Sequence, residues 1–256
     1  MCISVANIYR YPVKGLSAQA LTRAELAAGQ GLPEDRRFAI MHGASMFNPN
    51  APEWLPKSNF VALVRTDRLA TLATEYDEAT TTLTIRRNAK QVARGQIATV
   101  IGRGLIEQFL AAYLKGEIPG VPRLVEAPGI VFSDTPEKGI SIINASSVLD
   151  LERVVKEAIN PLRFRPNLVI KGGTAWEEVN WVGRTIQIGS TRLVITRVIK
   201  RCAAINVDPI NGSHTLNLLR ALERGYGHQH CGVYAQVTAG GTIKPGVLVQ
   251  LTDSLS

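Results

Sequence analysis

Cysteine is scarce in this 256-residue chain: Cys2, Cys202 and Cys231 are all there is. An odd, sparse set gives no disulfide framework. It also excludes an all-cysteine iron–sulfur cluster, which takes four thiolates. No apolar run approaches the ~20 residues of a membrane helix. The first residues, Met1 to Val13, read as a strand and lack the pattern of a secretory signal, so a cytoplasmic protein is expected. The basic residues form pairs (Arg36 and Arg37, Arg86 and Arg87, Lys200 and Arg201), with no long Lys/Arg run and no aromatic interleaving of the single-strand-binding kind. No G-x-S-x-G elbow, Walker loop or spaced carboxylate pair stands out, and there is no internal repeat.

What is there is a soluble composition with 45% hydrophobic and 20% charged residues, and a formal net charge of +8. Such a surplus suits an anionic ligand held by a few arginines at least as well as nucleic acid.

Most segments read as short strands bounded by turn formers: Ser4–Tyr11, Arg37–Met41, Phe60–Arg65, Leu69–Tyr76 and Thr81–Arg86. Ile140–Asn144, Asn167–Lys171, Thr185–Ile188, Thr191–Ile199, Gly232–Thr238 and Val247–Leu251 follow. Three helices are expected. One has a face from Leu105 to Leu114, and one opens at the capping-box pattern Ser147-x-x-Asp150. The third is marked by Leu216, Leu219 and Leu222 and ends near Gly225. Gly102-x-Gly104 reads as a helix start, not a dinucleotide site. The Pro/Gly-rich stretch 116–129 suggests two domains, 1–120 and 121–256. The fold class is mainly β (α+β), a barrel or sandwich with a few short helices.

Three segments carry candidate chemistry. In Arg197–Gly212 a strand runs into Lys200 and Arg201 and then Cys202, followed by turns at Asp208-Pro209 and Asn211-Gly212. Positive neighbours favour a thiolate, which is a soft-metal ligand or a nucleophile. The competing reading is a buried, inert thiol. In Leu162–Ile170, Pro166 is expected to hold Arg165 extended, which would put Arg165 and Asn167 on one side as a guanidinium fork plus amide for a phosphate or polar heterocycle. A rigid surface turn is the plain alternative. In Tyr11–Ser17, Lys14 beside Gly15 lets a phosphate meet both a charge and a backbone N–H. Arg36 is read as opening a strand that faces the same ligand; a surface Asp35–Arg36 pair is the alternative. His228-Gln-His230-Cys231 lacks a second cluster to complete a zinc site and reads as strand.

These blocks, in this order, resemble the MOSC family, in the form with an N-terminal MOSC β-barrel segment that includes the mitochondrial amidoxime-reducing components and bacterial relatives. The matching blocks are Tyr-Pro-Val-Lys-Gly (11–15), Gly-Leu-Pro-Glu-Asp-Arg-Arg-Phe (31–38), Arg-Phe-Arg-Pro-Asn (163–167), Ala-Trp-Glu-Glu (175–178) and Trp181. Ile188-Gly189, Arg201-Cys202, Val207-Asp208-Pro209 and Gly-Val-Tyr-Ala (232–235) complete the set. The resemblance implies β-barrel domains and a pterin-dithiolene molybdenum cofactor, with no haem or iron–sulfur cluster in this chain. It implies that Cys202 coordinates molybdenum, with Asp208 nearby as a second catalytic candidate. Lys14, Gly15, Arg36, Arg165, Asn167 and Arg201 are the implied cofactor-binding residues, and Ser133-Asp-Thr135 aligns more loosely. The implied activity is reduction of N-hydroxylated or N-oxide small molecules with electrons from a separate donor protein, with no nucleic-acid or membrane partner. The alternative is a non-enzymatic sulfur-handling or cofactor-carrier module. The chain departs from the pattern at Ile205-Asn206, where relatives carry Thr-Thr, and at Gly246-Val247, where Gly-Asp is usual.

Overall fold

The computed structural model describes residues 2–127 and 129–252. The N-terminal strands are β1 (Ser4–Arg10), β2 (Gln19–Leu21), β3 (Ala24–Leu26), β4 (Phe38–Met41), β5 (Ala73–Asp77), β6 (Thr82–Arg87) and β7 (Lys90–Gln96). Helix α1 (Val100–Tyr113) leads to β8 (Arg123–Glu126), β9 (Ile140–Asn144), helix α2 (Ala145–Val155) and β10 (Leu168–Lys171). β11 (Thr185–Ile188), β12 (Thr191–Lys200), helix α3 (Leu218–Tyr226), β13 (His230–Ala239), β14 (Gly241–Ile243) and β15 (Val249–Thr252) complete the order.

The fold is mainly β with α+β character, as the strand-rich pattern predicts. Its centre is an eight-stranded sheet in the order β15-β11-β12-β13-β9-β10-β1-β2. The ladder is not closed into a barrel, although an isolated bridge links Ser4 of β1 to Leu248, the residue before β15. β9 and β10 run parallel, which demands a crossover, and α2 supplies it. Smaller sheets are β5-β6-β7, β4-β8 and β3-β14. β1 pairs with β10 and β3 with β14, so strands from both ends of the chain share sheets.

Both faces of the large sheet are covered. Ile142, Leu168, Ile186, Leu193, Ile195 and Val233 pack on one side. Ile143, Val169 and Cys231 pack on the other, against Val148 and Leu151 of α2 and Leu218 and Leu222 of α3. Adjacent Ile142 and Ile143 belong to different clusters because strand side chains alternate. A third cluster joins β4 to α1 and the β5–β7 sheet.

Several local expectations are corrected. Phe60–Arg65 is not a strand: Phe60 bridges Met41, and then Arg65 and Thr66 both donate their N–H to Ala62 O. Those turns satisfy the backbone locally while Phe60, Val61 and Leu63 stay buried. Leu69–Tyr76 splits into a 3-10 helix, Asp67–Thr71, followed by β5. Leu69 and Leu72 are both buried, and a spacing of three suits a 3-10 turn. α2 begins before the expected capping box: Asn144 caps it by accepting from Ser146 N at 3.0 Å. Ser147 lies inside and donates to buried Glu178 at 2.9 Å. α3 ends at Tyr226, beside Gly225 as expected, and Gly227 closes it at φ 73°. Gly102 lies inside α1, where a Cβ would come within 2.1 Å of Gln96 O, so the glycine serves packing.

Candidate functional site

Strand ends and the turns beside them converge on a cavity of about 360 Å³. Lys14 and Gly15 follow β1, Arg36 precedes β4, and Arg163 to Asn167 lead into β10. Arg201 and Cys202 continue from β12. Eight cationic side chains line it, against one carboxylate, Asp134.

Tyr11 is the floor of the arginine cluster. Arg165 lies over its ring at 4.1 Å and Arg36 at 4.8 Å. Its hydroxyl donates to Pro166 O at 3.2 Å, and burial raises the phenol's pKa. Neither arginine has the expected backbone. Arg165 is left-handed (φ 49°, ψ 50°), closing the 3-10 helix Pro161–Phe164, not extended. That turn brings its guanidinium onto Tyr11, where Nη1 donates to Leu16 O at 2.9 Å. Arg36 is likewise left-handed at φ 51° and sits in the turn before β4, whose first residue is Phe38. It pairs with Asp35, which is itself buried and accepts from Tyr11 N at 2.7 Å. Left-handed non-glycine residues are costly and gather at functional sites.

Arg201 turns inward. Its Nε donates to Cys231 O at 2.7 Å and its Nη1 to Phe164 O at 2.9 Å. Lys200, its neighbour on the strand, is exposed. Burial pushes the Arg165 guanidinium down to about 10 and lowers that of Arg201. Among the described residues, Nη2 of Arg165 and Nη2 of Arg201 are buried and have no hydrogen-bond partner. Such groups are expensive to leave unpaired, and a ligand anion would satisfy them.

Cys202 is half-buried and lines the same cavity. Cys231 faces the core, and burial pushes its thiol up to about 12. Cys2 is exposed and does not line the cavity. Lys57, carried by the 3-10 helix Lys57–Asn59, also lines it. Burial opposes the charge of Lys57, but the Cys202 thiol and the Asp134 carboxylate outweigh it and raise the ammonium pKa. Lys14 is buried; its Nζ donates to Phe132 O at 3.0 Å and Asp134 Oδ1 at 2.6 Å, and burial lowers its pKa.

The other candidates have different placements. Asn167 lines the cavity, but its side chain is committed to the scaffold: Oδ1 accepts from Ser141 N and Oγ, and Nδ2 donates to Tyr9 O. Asp208 is not among the lining residues. It accepts from Arg163 Nη2 at 2.8 Å and from the N–H groups of Ile210 and Asn211, so it fixes the turn behind Cys202. The rings of His228 and His230 are tilted to each other with centroids 5.3 Å apart, but no three His, Cys, Asp or Glu groups among the described residues form a metal cluster. Lys57 and Arg163 were not among the sequence candidates for cofactor binding. Lys57 carries no local motif; Arg163 stands in the Arg-Phe-Arg-Pro-Asn block, which offered a signal.

The Lys14–Asp134 bridge gives a pH dependence. Burial works against the Asp134 carboxylate, but Lys14 outweighs it and holds it at about 2. A depressed carboxylate stabilises the fold above its ordinary value of 3.8, and that contribution is lost as pH falls towards 2. Asp134 is half-exposed, so the contribution is at most ~1 kcal/mol. Urea midpoints between pH 2 and 6 should fall less steeply in Asp134→Asn than in wild type; parallel curves would contradict this.

Comparison with known proteins places two family models on the chain: the MOSC N-terminal beta barrel domain at residues 2–113 and the MOSC domain at residues 130–250. The chain is 34% identical over 104 residues to the molybdenum cofactor sulfurase of Arabidopsis thaliana, covering 37% of this chain and 12% of that protein. It is 24% identical over 260 residues to the Homo sapiens molybdenum cofactor sulfurase, covering 85% of this chain and 28% of that protein. The Homo sapiens mitochondrial amidoxime-reducing component 1 is 24% identical over 233 residues, with 82% and 67% covered. The chain thus spans only a fraction of the two sulfurases. Among solved structures, the YuaD protein of Bacillus subtilis matches with a TM-score of 0.47 and 12% identity, over 99% of this chain and 97% of that one.

Proposed function

The chain belongs to the MOSC family, with a MOSC N-terminal beta barrel domain preceding a MOSC domain, and from that premise we propose that it binds a molybdenum cofactor and works as an oxidoreductase on N-hydroxylated or N-oxide small molecules. One observation carries the reading: Arg165 and Arg201, each with a buried, unpartnered guanidinium nitrogen, line the same cavity as a half-buried cysteine. A pterin phosphate needs the first, and a soft metal needs the second. The name of one relative, the mitochondrial amidoxime-reducing component 1, points the same way.

In this reading Arg165 and Arg201 hold the anion, aided by Lys14, Arg36 and the backbone at Gly15. Gly15 sits at φ 88° and a Cβ there would meet Val61 O at 2.9 Å, so the glycine lets this turn pack against the Val61 backbone. Asn167 and Asp208 support the cradle from behind. Cys202 is the thiolate ligand. The cofactor supplies two-electron exchange of an oxygen atom when bound. Lys57, beside Cys202, keeps positive charge next to the sulfur. Electrons come from a separate donor protein. The cationic side chains that face the cavity need no nucleic acid to account for them.

The second reading, a carrier of the cofactor or of sulfur on Cys202, is favoured by the name shared by two relatives, molybdenum cofactor sulfurase. Turnover separates the two. Protein from a cofactor-competent host, reduced with dithionite, should be reoxidised stoichiometrically by an N-hydroxylated compound. Bound molybdenum with no reoxidation would leave the carrier.

A further inference from the structure

Beside the cationic cavity lies a smaller one of about 150 Å³. Thr135, Gly139, Arg197 and Tyr234 line both, so the two adjoin. The volume equals that of the engineered apolar cavity that holds one benzene molecule, about 150 Å³, so a single six-membered ring fills it. The shared wall is an aromatic–cation pair: the Arg197 guanidinium lies 5.0 Å from the centroid of the Tyr234 ring.

Arg197 Nη2 donates to Glu137 Oε2 at 3.1 Å, with the two side chains 48% and 68% exposed. An ion pair so exposed contributes little to stability. An incoming carboxylate can therefore replace Glu137 on Arg197 at little cost and gain a bidentate contact. Lys138, also in the lining, donates to the neutral amide oxygen Gln30 Oε1 at 3.0 Å. With Glu137 swung away, two cations face this pocket.

We infer that the side pocket is a substrate subsite for small planar acids, in which one ring packs against Tyr234 and its carboxylate pairs with Arg197. That the far end of such a molecule reacts near Cys202 rests on the oxidoreductase reading above; binding in the pocket does not. Gly139 sets the width of the junction. A Cβ there would stand 3.5 Å from Ala235 O and 3.8 Å from Tyr234 Cδ1, ordinary contacts that narrow the passage without moving the backbone.

The test is calorimetric titration of the purified protein with benzoate, benzamide and benzamidine. Benzoate should bind about tenfold tighter than the other two, and Arg197→Gln should remove that preference. Glu137→Gln should tighten benzoate a few-fold, and Gly139→Ala should weaken all three probes. A preference for benzamidine would overturn the inference, as would no binding at all. Benzoate binding unchanged in both Arg197→Gln and Gly139→Ala would place the probe on the arginines of the larger cavity and also overturn it. Molybdenum is assayed on the same samples. Arg197-dependent benzoate binding without molybdenum retains the subsite and removes the oxidoreductase reading; molybdenum without benzoate binding does the reverse.

Discussion

Cys202→Ala should lower molybdenum per chain by at least about tenfold while most of the pterin stays bound. The two losses separate because different groups carry them. The metal loses its one protein sulfur, whereas the guanidinium groups of Arg165 and Arg201 remain in the cavity. Neither remaining cysteine can substitute. Cys231 points into the core with its thiol pushed up to about 12, so it is protonated at neutral pH. Cys2 lies away from the cavity lining. Metal analysis with pterin fluorescence on the same sample reads both quantities. Molybdenum equal to wild type in the variant would count against the assignment, as would negligible molybdenum in both.

Arg165→Met combined with Arg201→Met should release both metal and pterin. Each charged hydrogen bond to a buried partner contributes ~1.5–3 kcal/mol. Two such bonds give ~3–6 kcal/mol, and at about 1.4 kcal/mol per decade that is roughly a 10²- to 10⁴-fold loss of affinity. Arg201 also holds Cys231 O and Phe164 O, so the single variant Arg165→Met separates affinity from folding. It should lose about tenfold or more in pterin retention with an unchanged far-ultraviolet spectrum. Full retention in a folded double variant would mean that the anion binds elsewhere.

Much of this arrangement is legible in the sequence, and the rest is hidden for identifiable reasons. The strand pattern gave Ile140–Asn144 and Thr185–Ile188 with their observed bounds because both are rich in β-branched residues and bounded by turn formers. The short strands β2, β3 and β14 have three residues each, too few for a period to register. Phe60–Arg65 is apolar because it is buried, not because it pairs, and composition alone does not separate the two. At the site, the motifs gave Lys14, Arg36, Arg165, Arg201 and Cys202, all of which line one cavity. They misjudged the backbone at Arg165, where closure of a 3-10 helix overrides the extended bias before proline. Lys57 was out of reach: it stands 145 positions before Cys202 in a segment without periodicity, and only the fold brings it to the sulfur.

The proposed bond between Cys202 and molybdenum can be labelled with selenium. Cys202→Sec protein, loaded in a cofactor-competent host, should show a selenium neighbour directly bound to molybdenum in its X-ray absorption spectrum at the molybdenum edge. A molybdenum-loaded sample with only lighter neighbours in that shell would contradict the assignment of this residue as the metal's ligand.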